Sequence, residues 1–394
     1  MNLDRAGRGV VVSAVLAASL IITAVPAASG AERPGLDRED GIAGDRSDSA
    51  DASARAAGVD DLVILDQFDG LTFITSVDSG GIALVGPVGT WPATGTRLLG
   101  GDLHGDGAGD AVIVRRTTSG FQLWGIPWNS TENIYDADAR TAWAVLSTGG
   151  FNFDRSRQLM GDVTGDSLDD VVTIHRQLTG GLRVWVHPNT GTGTFGTPQQ
   201  WQNLSTGGWS YDRSRQTLAD VNGDGMLDLV STHRQLTGGL ILWVHLSNGT
   251  TLAAPTQWQN LRTGGWSYDN SRQTSGDVNG DGLGDIVSTH RLSTGGLVLW
   301  AHLSNGTAFA APALWQNLRT GGWSYDNSQQ RALDWDLDGS DDVISAHRAS
   351  GNLYRLWLHV STGTSFEPPF LLVDVDPTFL YDGTEFAVSR PQVP

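Results

Sequence analysis

The sequence contains no cysteine and no lysine, and all 25 of its basic residues are arginine. Without cysteine the protein can form neither disulfides nor thiolate metal sites, and it cannot carry a lipoprotein anchor. Without lysine it can use neither a Schiff-base lysine nor the lysine of a phosphate-binding loop. A nucleophile elbow and a His-Glu zinc motif are also absent. These absences exclude most of the enzyme chemistries that a short motif would reveal.

Positive charge is scarce relative to negative charge. The formal net charge is −18 and the isoelectric point is about 4.7. A chain with this balance is not expected to bind nucleic acid or an anionic membrane surface. Much of the negative charge lies in five short aspartate-rich loops.

Residues 1–31 are typical of a secretory signal. Arg5 and Arg8 precede an apolar stretch from Val10 to Val25, and small residues follow at 27–31. A membrane anchor is the alternative, although the stretch is short and rich in alanine. No later segment is long enough to span a bilayer, so we expect no membrane insertion after signal cleavage. We predict a secreted protein in a calcium-rich, extracellular compartment.

Residues 32–57 contain mainly Asp, Ser, Ala, Arg and Gly, with almost nothing to bury. This composition predicts a disordered linker. From residue 58 the pattern changes, and 58–394 is expected to form one folded domain.

An aspartate-rich loop recurs five times, with the form Asp-x-(Asn/Asp/Thr/His)-x-Asp-(Gly/Ser)-x-x-Asp, each time before an apolar, β-branched run. The copies start at Asp102, Asp162, Asp220, Asp277 and Asp334, at steps of 60, 58, 57 and 57 residues. A unit of this length that recurs with the same loop predicts a repeat architecture.

The copy that starts at Asp220 shows the local structure of one unit. Residues 215–219 approach the loop, and short strand-like runs follow it at 229–233, 240–247 and 258–261, separated by glycine-containing turns, which is the pattern of short strands and hairpins. Outside the signal, no window has the apolar spacing of a helix. Four short antiparallel strands per unit form the blade of a β-propeller, so the predicted fold is all-β.

The number of blades follows from the length. Residues 58–394 hold about six units of 57 residues. The first unit, near Asp60, lacks the loop ligands and its innermost strand. Residues 381–384 align with 325–328, so 385–389 could supply that strand. We predict six four-stranded antiparallel blades closed by the C-terminal strand, with seven blades as the alternative.

Each loop offers side-chain oxygens at positions 1, 3, 5 and 9, and these are hard ligands suited to calcium. About five calcium ions are therefore expected. His104 puts an imidazole at position 3, so the first site should be the weakest. The predicted metal ligands are Asp102, Asp106, Asp110, Asp162, Thr164, Asp166, Asp170, Asp220, Asn222, Asp224, Asp228, Asp277, Asn279, Asp281, Asp285, Asp334, Asp336, Asp338 and Asp342.

EF-hands and dockerin modules open with a similar loop. They require an acidic ligand at position 12 and flanking helices. Here position 12 is Ser231 or Ser288, and the residues that follow favour strands. The spacing therefore favours calcium loops within a β fold.

The run Asp277-Val-Asn-Gly-Asp-Gly-Leu-Gly-Asp285-Ile-Val resembles the core of FG-GAP/VCBS repeats, as found in integrin-α-like propellers. The resemblance covers residues 58–394. It implies a propeller, calcium in the loop between the first and second strands of each blade, and a role in adhesion or carbohydrate contact. It implies no reaction. The Phe-Gly and Gly-Ala-Pro signatures are absent, which leaves the subfamily open.

The turns on the face opposite the loops carry repeated aromatic and polar residues. They suit a sugar, because aromatic rings cover C–H bonds and planar polar groups bind hydroxyls. They suit packing between blades equally well, because a residue repeated in every blade usually has the same structural role in each. The candidate ligand residues are Trp209, Tyr211, Asp212, Trp266, Tyr268, Asp269, Trp323, Tyr325, Asp326, His233, Arg234, His290 and Arg291.

A second aromatic series lies within the predicted third strands and is expected to pack between blades. The histidine two residues after most of these tryptophans points to the same side and is expected to be a structural partner. The series comprises Trp124, Trp185, Trp243, Trp300 and Trp357, with His187, His245, His302 and His359.

Three functions remain open. A secreted binding or adhesion propeller for carbohydrate or a cell-surface polymer is the leading hypothesis. A polysaccharide lyase or glycosidase is the second, and a non-catalytic scaffold for a protein partner is the third. An enzyme requires one singular constellation of tuned groups, whereas this sequence repeats the same residues in each unit. We therefore predict no catalysis.

Overall fold

The computed structural model describes residues 61–68, 71–78, 81–89, 91–129, 134–136, 139–147, 149–374 and 384–389. The predicted signal peptide, the predicted linker and residues 381–383 lie outside these ranges. The described residues contain no helix with the length and apolar character that a bilayer crossing requires.

The described chain forms strands throughout, with a few short 3-10 turns. It begins with β1 (Asp61–Phe68), β2 (Leu71–Asp78) and β3 (Gly81–Gly89). Blade 1 contains β4 (Thr96–Gly101), β5 (Asp110–Arg116), β6 (Phe121–Ile126) and, after the small hairpin of β7 (Trp128–Asn129) and β8 (Ile134–Tyr135), β9 (Thr141–Leu146). Blade 2 contains β10 (Ser156–Gly161), β11 (Asp170–Arg176), β12 (Leu182–His187) and β13 (Gln199–Leu204).

The next three blades repeat the same pattern. Blade 3 contains β14 (Ser214–Ala219), β15 (Asp228–Arg234), β16 (Leu240–His245) and β17 (Thr256–Leu261). Blade 4 contains β18 (Ser271–Gly276), β19 (Asp285–Arg291), β20 (Leu297–His302) and β21 (Ala313–Leu318). Blade 5 contains β22 (Ser328–Leu333), β23 (Asp342–Arg348), β24 (Tyr354–His359) and β25 (Phe370–Asp374), and β26 (Glu385–Ser389) follows.

The 3-10 turns are η1 (Ala93–Gly95), η2 (Phe153–Arg155), η3 (Tyr211–Arg213), η4 (Tyr325–Asn327) and η5 (Ser350–Asn352). The turns η2, η3 and η4 each lead directly into the first strand of a blade.

The fold is an all-β propeller with four-stranded antiparallel blades, as the sequence predicted. In each of the five blades the strands pair in chain order. A further four-stranded sheet combines the two ends of the described chain, in the order β26-β1-β2-β3, with Leu62 opposite Val388. The first strands of neighbouring sheets contact one another in the order β4, β10, β14, β18, β22 and β26, and β26 contacts β4.

The core lies between blades. One cluster joins Val184 and Trp201 of blade 2 to Tyr211 and Leu229 of blade 3. A blade covered on both sides buries both faces of its central strands. These strands are therefore expected to lack the usual alternation of buried and exposed residues. In β15, residues 228–232 are all buried, and three of them are polar.

The strand directions define two faces of the propeller. Each aspartate-rich loop joins the first strand of a blade to the second, as predicted, and we call the face with these loops the acidic face. The turns between second and third strands, and the turns that lead into first strands, lie at the opposite end. We call that end the turn face.

The third-strand tryptophans are not fully buried core residues, so the core part of that prediction is wrong, but Trp124 does pack against the buried cluster that joins β1 to β5. Trp185, Trp243, Trp300 and their counterparts are only partly buried. A register shift between the third and fourth strands occurs at each of them, for example between Leu242 and Trp243. Such a bulge redirects the side chain. The buried positions are taken by the fourth-strand tryptophans Trp143, Trp201, Trp258 and Trp315.

Candidate functional site

The first aspartate of each loop organises the loop backbone. In blade 4, Asp277 Oδ1 accepts hydrogen bonds from the amides of Gly280 (2.8 Å) and Asp281 (3.2 Å). Asp277 Oδ2 accepts from the amide of Gly282 at 2.7 Å. These bonds curl the loop around its first carboxylate. The side chains at loop positions 3 and 5 also contact each other, because Asn279 Nδ2 donates to Asp281 Oδ2 at 2.9 Å.

The last aspartate of each loop begins the second strand and is buried. Asp285 Oδ1 accepts from the amide of Ser304 at 2.7 Å, but Asp285 Oδ2 has no hydrogen-bond partner of normal geometry. The corresponding oxygens of Asp228 and Asp342 also lack one. A buried carboxylate oxygen without a partner is costly, so each of these three oxygens is available as a metal ligand.

Burial and the neighbouring carboxylates change the protonation of these groups. Desolvation, reinforced by the charges of Asp281 and Asp277, raises the pKa of Asp285 to about 8. Desolvation, reinforced by the aspartates of their own loops, raises the pKa of Asp170, Asp228 and Asp342 to about 7. A divalent cation would remove the repulsion that produces these shifts.

The ligand types of these loops fit calcium, and among the described residues only the blade 5 loop brings three carboxylate oxygens within 4.8 Å of one another. The available ligands are carboxylate and amide oxygens, and the three unpartnered buried oxygens require a positive partner. The three clustered oxygens of blade 5 belong to Asp334, Asp336 and Asp338. All of the predicted metal ligands lie in these five loops, although calcium binding itself stays a prediction.

The loops of blades 1 and 2 differ in the way the sequence anticipates. His104 Nδ1 lies 2.8 Å from Asp110 Oδ2, so an imidazole occupies the space next to the carboxylate. Asp170 Oδ2 accepts from the amides of Val163 and Thr164, both at 3.2 Å. The last carboxylate therefore has partners in blades 1 and 2.

The loops of blades 1 to 4 are also bonded to the following blade, which sequence reasoning missed. The amide of Gly284 in blade 4 donates to the carbonyl of Asp220 in blade 3 at 2.6 Å. Ser304 Oγ, in the turn after β20, donates to the carbonyl of Val221 at 2.6 Å. A Ser-x-Gly-Thr run that recurs at 247, 304 and 361 was the available signal.

Glycine is required where these turns approach the neighbouring loop. Gly249 has a φ of +78°, and a Cβ at this position would lie 2.7 Å from the carbonyl oxygen of Thr164. The loops on the acidic face therefore form part of the contact between blades.

On the turn face, the predicted tyrosines are buried between blades. Tyr211, Tyr268 and Tyr325 are 5–8% exposed. The guanidinium of Arg157, from the first strand of blade 2, lies 4.1 Å from the ring centre of Tyr211 and donates to the Tyr211 carbonyl at 2.8 Å. Arg215 and Arg272 stack in the same way on Tyr268 and Tyr325.

The predicted aspartates of this face form exposed ion pairs with the preceding blade. Arg176 donates through Nε and Nη2 to Asp212, with the shortest distance 2.7 Å. Hydrogen bonding from Arg176 lowers the pKa of Asp212. Equivalent pairs join Arg234 to Asp269, Arg291 to Asp326 and Arg116 to Asp154.

The predicted tryptophans are partly buried where two blades meet. Trp209 packs against the core of blade 2, and its ring centre lies 5.2 Å from that of His233 and 5.7 Å from that of Trp243 in blade 3. Trp266 contacts His290, and Trp323 contacts His347, in the same manner. The Nε2 atoms of His233 and His290 are buried without a hydrogen-bond partner.

The histidines after the third-strand tryptophans are buried structural residues, as predicted, but the Nδ1 atoms of His187 and His245 have no hydrogen-bond partner. Trp209 contacts both Trp243 and His245, so the two lie on one side of the strand. His187, His245, His302 and His359 are fully buried, and desolvation lowers the pKa of each to about 3.

The comparisons with known families support the repeat interpretation. Residues 162–231 and 220–288 match a family model described as an FG-GAP-like repeat. FG-GAP-like repeats are therefore supported within residues 162–288. No curated protein matches this sequence.

Two solved structures are similar in fold. A lectin from Agrocybe aegerita, described as recognising non-reducing terminal N-acetylglucosamine, is 19% identical with a TM-score of 0.55, and the match covers 86% of this chain and 97% of the lectin. AofleA from Arthrobotrys oligospora is 10% identical with a TM-score of 0.50, and the match covers 86% of this chain and 92% of AofleA. At these identities the likeness concerns the propeller fold alone.

Proposed function

We propose that the protein is a secreted, calcium-stabilised propeller that binds carbohydrate or a cell-surface polymer through its turn face and catalyses no reaction. In this proposal the sheet β26-β1-β2-β3 acts as a sixth blade that closes the ring. The observation that carries the binding role is the repetition, in successive blades, of a partly buried tryptophan and an exposed Arg–Asp pair on the same face.

This arrangement suits sugar recognition. The exposed part of each indole offers an apolar surface for the C–H bonds of a sugar ring, while guanidinium and carboxylate groups offer donors and acceptors for its hydroxyls. Repeated weak sites on one face gain avidity on a polymer. The similar Agrocybe aegerita structure is a lectin, which is consistent with this use of the fold.

The binding role can be tested on a glycan array with wild-type protein and the variant Asp212→Asn/Asp269→Asn. Both side chains are 56–58% exposed, so the substitutions should cost little stability. Bound glycans should lose signal while the melting temperature stays near that of wild type. No binding to any glycan would contradict the proposal, and turnover of a polysaccharide would favour an enzyme.

The calcium role rests on the unpartnered oxygens of Asp228, Asp285 and Asp342. With a dissociation constant of ~10⁻⁴ M and ~1 mM calcium, each site would add about 1.4 kcal/mol of stability. Chelation should therefore lower the melting temperature sharply. Asp285→Asn should reduce the calcium-dependent shift, whereas Asp326→Asn on the turn face should leave it unchanged. An identical melt with and without chelator would refute structural calcium.

A further inference from the structure

In the folded chain, most arginines lie on one face of the propeller and most carboxylates lie on the other. In blade 3, Arg215 lies at the start of the first strand, Arg234 ends the second, and Arg262 follows the fourth, and all three positions are at the turn face. Among the described residues, every arginine except Arg140 and Arg331 lies within two residues of a turn-face strand end.

The carboxylates show the opposite distribution. Among the described residues, Asp154, Asp212, Asp269 and Asp326 are the turn-face aspartates paired with an arginine, and three more acidic residues, Asp66, Asp374 and Glu385, lie within two positions of a turn-face strand end. The others lie in the loops and connections of the acidic face. The arginines therefore outnumber the carboxylates on the turn face, and this face is cationic although the whole chain carries −18.

Part of this positive charge is accessible. Arg176 and Arg234 are 35–36% exposed and use Nε and Nη2 for their aspartates, so the Nη1 groups have no acceptor among the described residues. Arg262 and Arg319 are exposed, and their side chains make no hydrogen bond or ion pair within the described part of the chain.

We infer that the turn face selects an acidic polysaccharide, whose uronate carboxylates contact guanidinium groups of several successive blades. This inference rests on the proposed carbohydrate-binding role and adds the charge class of the ligand. Guanidinium forks match carboxylates in geometry, and the same arginine recurs at steps of one blade, so a polymer can engage several at once.

The aspartates next to these arginines favour a polysaccharide over a nucleic acid. Each exposed Arg–Asp pair places an acceptor beside the donor, which serves a chain that alternates hydroxyl and carboxylate groups. A phosphodiester chain has a charge at every residue and few free hydroxyls, so the four aspartates would repel it.

The test uses the full-length protein with hyaluronan fragments, carboxyl-reduced hyaluronan of the same length and single-stranded DNA, in calcium-containing buffer. Binding is measured by isothermal titration at ~0.05 M and ~0.5 M salt. We expect binding to hyaluronan that weakens at the higher salt, with little binding to the carboxyl-reduced polymer. Arg262→Gln/Arg319→Gln should weaken it by about tenfold.

The control variant changes the net charge equally but on the other face. Gln199→Glu/Gln257→Glu alters two exposed residues at the acidic-face ends of β13 and β17, and it should leave hyaluronan affinity unchanged. Equal losses in both variants, or tighter binding of DNA, would overturn the inference. If carboxyl-reduced hyaluronan binds as well as hyaluronan, the charge selectivity is wrong while the carbohydrate-binding role stands. If no polysaccharide binds, the proposed function fails as well.

Discussion

The buried imidazole of His302 should make the protein less stable in acid. Its Nδ1 hydrogen-bonds to Gln259 Oε1 of the preceding blade, and its Nε2 lies 2.8 Å from Ser288 Oγ. Gln273 Nε2 lies 3.3 Å from the same hydroxyl, so the serine can accept from Gln273 and donate to the imidazole. This network fits the neutral ring, and burial lowers the pKa of His302 to about 3.

The sign and size follow from linkage. The folded pKa lies below the unfolded value of 6.5, so this stability is complete above pH 6.5 and is lost as the pH falls towards 3. At pH 5 the unfolded imidazole is protonated and the folded one is not. The cost is then about 2 kcal/mol for one histidine and on the order of 8 kcal/mol for the four buried ones. That sum is comparable to the stability of a whole domain.

The assay is urea unfolding at pH 7 and pH 5 for wild-type protein and His302→Gln. The variant should lose about 2 kcal/mol less than wild type between the two pH values, whatever its stability at pH 7. The loop aspartates with raised pKa act in the opposite direction, but they are common to both proteins and cancel. Ser288→Ala removes a hydrogen bond but no titrating group. It should therefore lower the free energy of unfolding by the same amount at pH 7 and at pH 5. If His302→Gln has the same pH dependence as wild type, the reasoning is refuted.

Two further predictions concern the loops and the contacts between blades. Ser167 adopts a φ of +65° at the loop position where Gly225 has +83°. Ser167→Gly should therefore raise the free energy of unfolding by about 1 kcal/mol, and Gly225→Ser should lower it by a similar amount, as measured by chemical denaturation. If the variants are as stable as wild type, the loop relaxes instead. Arg215→Ala should cost about 2 kcal/mol because the guanidinium stacks 4.2 Å from the Tyr268 ring and donates to buried backbone, whereas Asp269→Ala should cost less than about 1 kcal/mol because the pair it breaks is exposed. A larger loss from Asp269→Ala would contradict this ranking.

The repeat was enough to predict the fold and the position of the loops. Strand positions follow from glycine-rich turns between short β-branched runs, and these local signals recur in every copy. The predicted run at 229–233 lies within β15 (Asp228–Arg234), and the predicted run at 258–261 lies within β17 (Thr256–Leu261). Both signals depend on neighbours in the chain, so the sequence alone contains them.

The roles of the turn-face residues could not be predicted in the same way. From the sequence, Trp266, Tyr268 and Asp269 formed one candidate group. In the structure Trp266 is partly buried, the Tyr268 ring is buried under Arg215, and Asp269 forms an exposed ion pair. The separation depends on the preceding blade, which supplies Arg215 and Arg234. Residues that lie 35 or more positions apart in sequence give no local signal of such contacts.

The sequence by itself determined the repeating blade, the acidic loops and the composition, because each of these depends on residues close together in the chain. Only the tertiary structure decided which tryptophans are buried, which loop oxygens lack a partner and which charges share a face. Strand direction gathers arginines from separate repeats at one end of the propeller and aspartates at the other. A net charge of −18 therefore describes neither face.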